Sequence, residues 1–76
     1  MIRELNLVVL TRDIVEHGLE QGDVGTVVHC YRDHSAHEVE FVTAEGETIA
    51  VLTLTSTDIY PMQGKQILHA REIAPI

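Results

Sequence analysis

Hydrophobic and polar positions along this chain change over in short runs, most of them strand-sized. "LNLVVLT" (5–11) alternates imperfectly and is rich in Leu and Val, the pattern of a strand buried on more than one face. "RDIVEHGLEQGD" (12–23) is polar with two glycines, long enough for a structured loop containing one helical turn. "VGTVVHCYR" (24–32) is the second strand, and "DHSA" (33–36) is turn chemistry. "HEVEFVT" (37–43) and "ETIAVLTL" (47–54) bracket "AEG" (44–46), the clearest hairpin in the chain. Gly46 in the left-handed region would close it as a type I turn with a glycine bulge. "TSTD" (55–58) reads as a single 3-10 turn, and "IYP" (59–61) as a short last strand stopped by Pro61.

Closing the hairpin between Thr43 and Glu47 predicts a register. Phe41 then lies opposite Ile49 and Val39 opposite Val51, and these four form the core side. The other side would carry Glu38, Glu40, Val42, Ala50 and Leu52, continued by Leu54. It would mix acid with exposed apolar surface.

The segment "GLEQGDVGTVVHCY" (18–31) raises a choice between a ligand loop and a bend. Phosphate-cradling loops place their glycines before a helix, with a lysine or a spaced third glycine; here a β-branched run follows. Gly22-Asp23 therefore reads as a tight turn leading into a strand, with a bulge or strong twist expected at Gly25. Five short strands, a long first loop, a glycine bend and a 3-10 turn before the last strand describe an all-β fold, a small five-stranded SH3-like barrel. Residues 1–62 would form the barrel. The tail 63–76, "QGKQILHAREIAPI", belongs to the same domain. With Ile67, Leu68, Ala70 and Ile73 available for packing, it is expected as an extra strand or short helix on the outside of the barrel or on a partner.

"VVLTRDIVEHGLEQGDVGTVVHCY", "EVEFVTAEGETIAVLTL" and "ILHAREI" together resemble a bacterial family of short stand-alone proteins of unknown function, marked by a G-D-x-G-x-V-V run and a V-E-F-V hairpin. The resemblance spans nearly the whole chain and implies an SH3-like barrel, with no established activity and no catalytic residues. The G-D-x-G-x-V segment is also similar to glycine bends of KOW-type ribosomal and transcription-factor domains, which are basic where this chain is acidic.

Seventy-six residues support one domain with one small core. A chain this short hides only about 60% of its unfolded surface, for a net stability of roughly 3–5 kcal/mol without a staple. The single cysteine, Cys30, forms no internal disulfide and fits a reducing, cytoplasmic compartment. The apolar run near the N-terminus is flanked by charge on both sides with no small-residue cleavage site after it, and it falls short of the roughly 20 apolar residues a membrane span needs, so neither a signal peptide nor a span is expected. Five Lys and Arg against twelve Asp and Glu give a formal charge of −7 and a pI near 4.9. Nucleic acid is not an expected partner, because its binding needs a basic stripe. A basic protein would be steered in by the same field.

Candidate chemistry is sparse. "HCYRDHSAH" gathers His29, Cys30, Asp33, His34 and His37, but no second Cys or Cys/His pair completes a closed zinc site. Alternation also sends His29 and Cys30 to opposite faces. His34 and His37 remain weak metal candidates, and no cofactor is expected. Cys30 as a nucleophile lacks an electropositive setting, since Arg32 and Asp33 cancel. The carboxylates Glu38, Glu40, Glu45 and Glu47 sit on an exposed hairpin with no cleft to split their pKa values. With no Trp, and only Tyr31, Phe41 and Tyr60 as aromatics, grooves for proline-rich peptides, methyl-lysine cages and base-stacking platforms are not expected. The sequence thus predicts a non-catalytic protein–protein interaction module. Its partner-binding residues would be Glu38, Glu40, Ala50, Leu52 and Leu54, and its partner a basic protein or a second copy of the chain. An antitoxin or immunity-type inhibitor of a basic toxic enzyme such as a nuclease is the alternative, and a small metal-binding protein the third.

Overall fold

The computed structural model describes residues 2–73. Its five strands are β1 (Leu7–Leu10), β2 (Val24–Cys30), β3 (Ala36–Val42), β4 (Thr48–Thr55) and β5 (Ile59–Pro61). They form one antiparallel sheet in the order β4-β3-β2-β1-β5. The expected five-stranded all-β architecture is present. The sheet is open, with β4 and β5 as its two edges.

β1 starts two residues later than the apolar pattern suggested. The Asn6 side chain accepts the Arg3 N–H at 2.9 Å while the Asn6 N–H bonds the Arg3 carbonyl at 3.1 Å. This local turn holds Leu5 at φ 71 and leaves it exposed. In the first loop, Val15–His17 make a 3-10 turn ended by Gly18 at φ 69, and Ile14 bridges Leu19. The loop is therefore structural: Ile14 and Leu19 join Ile2, Val8, Leu10, Val27, Val39, Phe41, Leu54 and Ile59 in the core. The 3-10 turn expected at 55–58 is instead a hydrogen-bonded turn. There the Asp58 N–H bonds the Thr55 carbonyl at 2.9 Å and the Asp58 carboxylate accepts the Thr55 N–H at 3.0 Å.

Gly22 (φ 94) and Gly46 (φ 85) occupy the left-handed conformations that their turns require. At Gly22 the Asp23 N–H closes on the Glu20 carbonyl at 3.0 Å. At Gly46 the Thr43 and Glu47 backbones pair as the hairpin predicted, with Thr43 N–H to Glu47 carbonyl at 2.9 Å. Gly25 is not a bulge. A Cβ there would lie 2.6 Å from Val39 Cγ1 and 2.8 Å from Phe41 Cε1, so the glycine admits the two core side chains of β3. The β2 bulge comes at Val28, between the pairs Val27↔Val39 and His29↔Glu38.

A second bulge corrects the hairpin register. Val42 pairs Thr48, but Phe41 pairs Ala50, so Ile49 is an extra residue and every later partner shifts by one. Val39 faces Leu52, His37 faces Leu54, and Glu40 faces Val51. Ala50, Leu52 and Leu54 thus share the inner side of the sheet with Phe41 and Val39 and are not part of an outer partner face. The physical reason lies in β4 itself: continuing the unbulged register would turn Thr53 and Thr55 inward. The bulge turns Leu52 and Leu54 inward while Ile49 still packs on the core. Leu54 ends 3% exposed and Val51 50% exposed.

Among the described residues the tail forms neither the extra strand nor the short helix that was expected. It turns at Gln63–Gln66, where Gln66 Nε2 donates to the Tyr60 hydroxyl at 2.9 Å, and then runs as an irregular strap. Ile67 and Leu68, expected to pack, are 90% and 68% exposed. Residues 74–76 of the predicted tail lie outside the described residues.

Candidate interaction face

Strand pairing places side chains in rows across the sheet, because directly opposed residues of antiparallel strands project to the same side. One outer row reads Leu7, Thr26, Glu40, Val51. The next reads His29, Glu38, Thr53. The two acids occupy the middle of the outer face, and exposed Leu7, Val42 and Val51 lie around them.

Both carboxylates are held by neighbours. Glu38 Oε2 accepts hydrogen bonds from Thr53 Oγ1 and, at 2.9 Å, from the Tyr31 hydroxyl. These bonds, Thr53's first and then Tyr31's, lower the Glu38 pKa below the usual glutamate range, and the bond to Glu38 raises that of Tyr31. Glu38 therefore stays ionised at neutral pH. Glu40 Oε2 accepts from Thr48 Oγ1 at 2.9 Å. His29 packs edge-on against Tyr31 with ring centres 5.1 Å apart. No Lys or Arg stands between Arg32 and Lys65, whereas Asp33, Glu38, Glu40, Glu45, Glu47 and Asp58 all fall in that stretch. The whole β3–β4 hairpin is thus free of fixed positive charge.

The weak metal candidates separate. His34 lies in the β2–β3 turn at φ 59 and is exposed, while His37 is 2% exposed on the inner side opposite Cys30. No group of three or more metal-binding side chains occurs among the described residues. His37 Nδ1 is buried without a hydrogen-bond partner. Burial, followed by the charge of His34, lowers the His37 pKa. Both rings border a shallow cleft of about 390 Å³ closed by Ile2, Ser56, Ile59, Tyr60 and Pro61. As alternation predicted, Cys30 and His29 face opposite ways; Cys30 packs against the core, with its Sγ 3.7 Å from the Ile2 carbonyl.

One polar cluster escaped the sequence reading. Arg71 Nε donates to Asp23 Oδ1 at 2.9 Å, and Nη2 donates to Asp23 Oδ2 at 2.5 Å and to the Gly18 carbonyl at 3.0 Å. Glu20 adds its charge at 3.6 Å. Burial pushes the Asp23 carboxyl up, but the Arg71 bond, the Glu20 N–H and the Arg71 charge together outweigh it and hold Asp23 below its ordinary value. Asp23, expected only as a turn residue, is therefore also the anchor of the tail. A separation of 48 residues leaves no local signal for such a pair. Beside the anchor, a concavity of about 540 Å³ opens between the turn end of the β3–β4 hairpin (Phe41 and Ile49 of the strands, Thr43 and Glu45 of the turn) and the strap (His69, Arg71, Ile73).

These features define a small all-β domain with an open sheet, an acidic hairpin face and a clasped tail. Residues 4–61 match the model of a family described as a domain of unknown function, DUF4926, and the chain belongs to that family. The match ends at Pro61, the last residue of β5. No curated protein and no solved structure shows significant similarity to the chain. No described helix is long and apolar enough to cross a membrane.

Proposed function

We propose that this protein is a non-catalytic interaction module, cytoplasmic in keeping with its lone thiol, whose outer hairpin face receives a basic protein partner. One observation carries the reading: Glu38 and Glu40 stand in ordered rows beside exposed Val42 and Val51, on a hairpin without any Lys or Arg. Such a surface attracts cations over a Debye length and offers apolar area on contact. The test is a tagged pull-down at low and high salt, with a Glu38→Lys/Glu40→Lys variant whose fold is checked by circular dichroism. A partner lost with salt and with the variant supports the module; a partner kept by the variant moves the site elsewhere.

The absence of cations from residues 33–64 favours a second reading, in which the face imitates a polyanion and blocks the basic cleft of a toxic enzyme such as a nuclease. Under that reading, nucleic acid competes with the protein for its partner; under the first it does not.

A further inference from the structure

We infer that the free edge of β4 accepts an extended segment of the basic partner as a sixth strand, a segment alternating apolar residues with Lys or Arg. The inference rests on the basic-partner reading above and adds the mode of binding and the pattern of the ligand.

The two edges of the sheet are unlike. β5 is three residues long, ends in Pro61 and is tied to the tail turn through Tyr60. β4 is eight residues long, "TIAVLTLT", with no charge, proline or glycine, so beyond its single bulge it lacks the usual devices that keep an edge from pairing. Its bulge at Ile49 sits near the hairpin end, and pairing with β3 runs without a break from Ala50 to Thr55. Among the described residues no strand pairs with its outward side and no tail backbone group hydrogen-bonds to it. At Thr55 both backbone groups are taken by Asp58, the N–H by its carboxylate and the carbonyl by its N–H, so the free stretch ends before Thr55. A row of outward N–H and C=O groups is left for another strand.

Charge and polarity choose the occupant. Because the sheet is open, the inner side of β4 ends in half-buried Ile49 and Leu52, which an apolar side chain of the added strand would cover. On the outer side the added strand meets Val51 and Thr53, with Glu40 and Glu38 one strand further in. Strands are spaced about 4.8 Å apart, so a Lys or Arg at the outer positions spans β4 to reach those carboxylates. Apolar residues inward and cations outward have the period of two that a strand imposes. A second copy of the chain fits poorly, since it brings another −7 charge and a hairpin with no cation to offer.

The probe is a seven-residue peptide alternating Lys and Val, titrated into the full chain at low salt and followed by amide NMR. Comparison peptides are the same composition with Lys and Val in separate blocks, and the alternating peptide N-methylated at every residue. The alternating peptide should shift and protect amides of residues 50–54, and both comparison peptides should bind at least about tenfold more weakly. Val51→Lys, at an exposed edge position, should weaken the alternating peptide similarly while leaving the fold intact. If the N-methylated or block peptide binds as well as the alternating one, edge pairing is overturned while the basic-partner reading stands. If no basic peptide binds, both are overturned. If the protein alone forms a dimer that Val51→Lys abolishes, the edge belongs to a second copy and the inference is wrong.

Discussion

At Gly25 a methyl group would meet Val39 and Phe41 well inside van der Waals distance, and both of those side chains are fixed in the core. Gly25→Ala should therefore cost roughly 1–3 kcal/mol, the usual penalty of overpacking, seen as a lower urea midpoint. His37 makes the opposite kind of case, a buried polar group whose Nδ1 bonds nothing. Its folded pKa lies below the ordinary value near 6.5, so the unfolded chain takes up the proton first. Stability should be full above that value and fall as pH drops from it towards the lower folded pKa. His37→Leu removes this pH dependence and keeps or raises stability at pH 7, as thermal melts across pH 5–8 would show.

The strands show how a correct turn can accompany a wrong register. Truncations read the register directly: Leu54→Ala should cost about 2–5 kcal/mol, whereas Val51→Ala should cost less than about 1 kcal/mol in chemical denaturation. The unbulged pairing would make Val51 the costly one. Strand number, order of appearance and the Thr43–Glu47 closure were legible because glycine, β-branched and turn residues act locally. The bulge at Ile49 was not, because it is decided by the inward demand of Leu52 and Leu54 summed along β4. That single extra residue moved Ala50, Leu52 and Leu54 from the expected partner face to the inner side, while Glu38 and Glu40 stayed outside. Gly25 was legible as special but not in its role, since the side chains it admits come from β3.

In the whole molecule, the family-matched domain and its tail are joined by the Arg71–Asp23 clasp. Arg71→Ala should free the strap, seen as lower amide order parameters along 69–73 by NMR relaxation, and leave the five strands protected from hydrogen exchange. Acid acts on the clasp as well. Asp23, like Glu38 and Asp58, has a lowered folded pKa, so the stability it adds is present above the ordinary carboxylate range and is lost as pH falls through the lowered values. Loss through His37 therefore begins near neutrality, and loss through the carboxylates follows at lower pH. The open β4 edge carries a further consequence for the protein in solution. An unprotected strand edge sits on a molecule whose copies are kept apart by shared negative charge, so colloidal behaviour depends on that charge more than on folding stability. As the medium is acidified towards and below the sequence pI of about 4.9, the net charge and the repulsion fall, and turbidity should appear in a sample whose circular dichroism is still that of the folded sheet. Acidity and ionic strength, rather than temperature, then decide how long a concentrated solution stays clear.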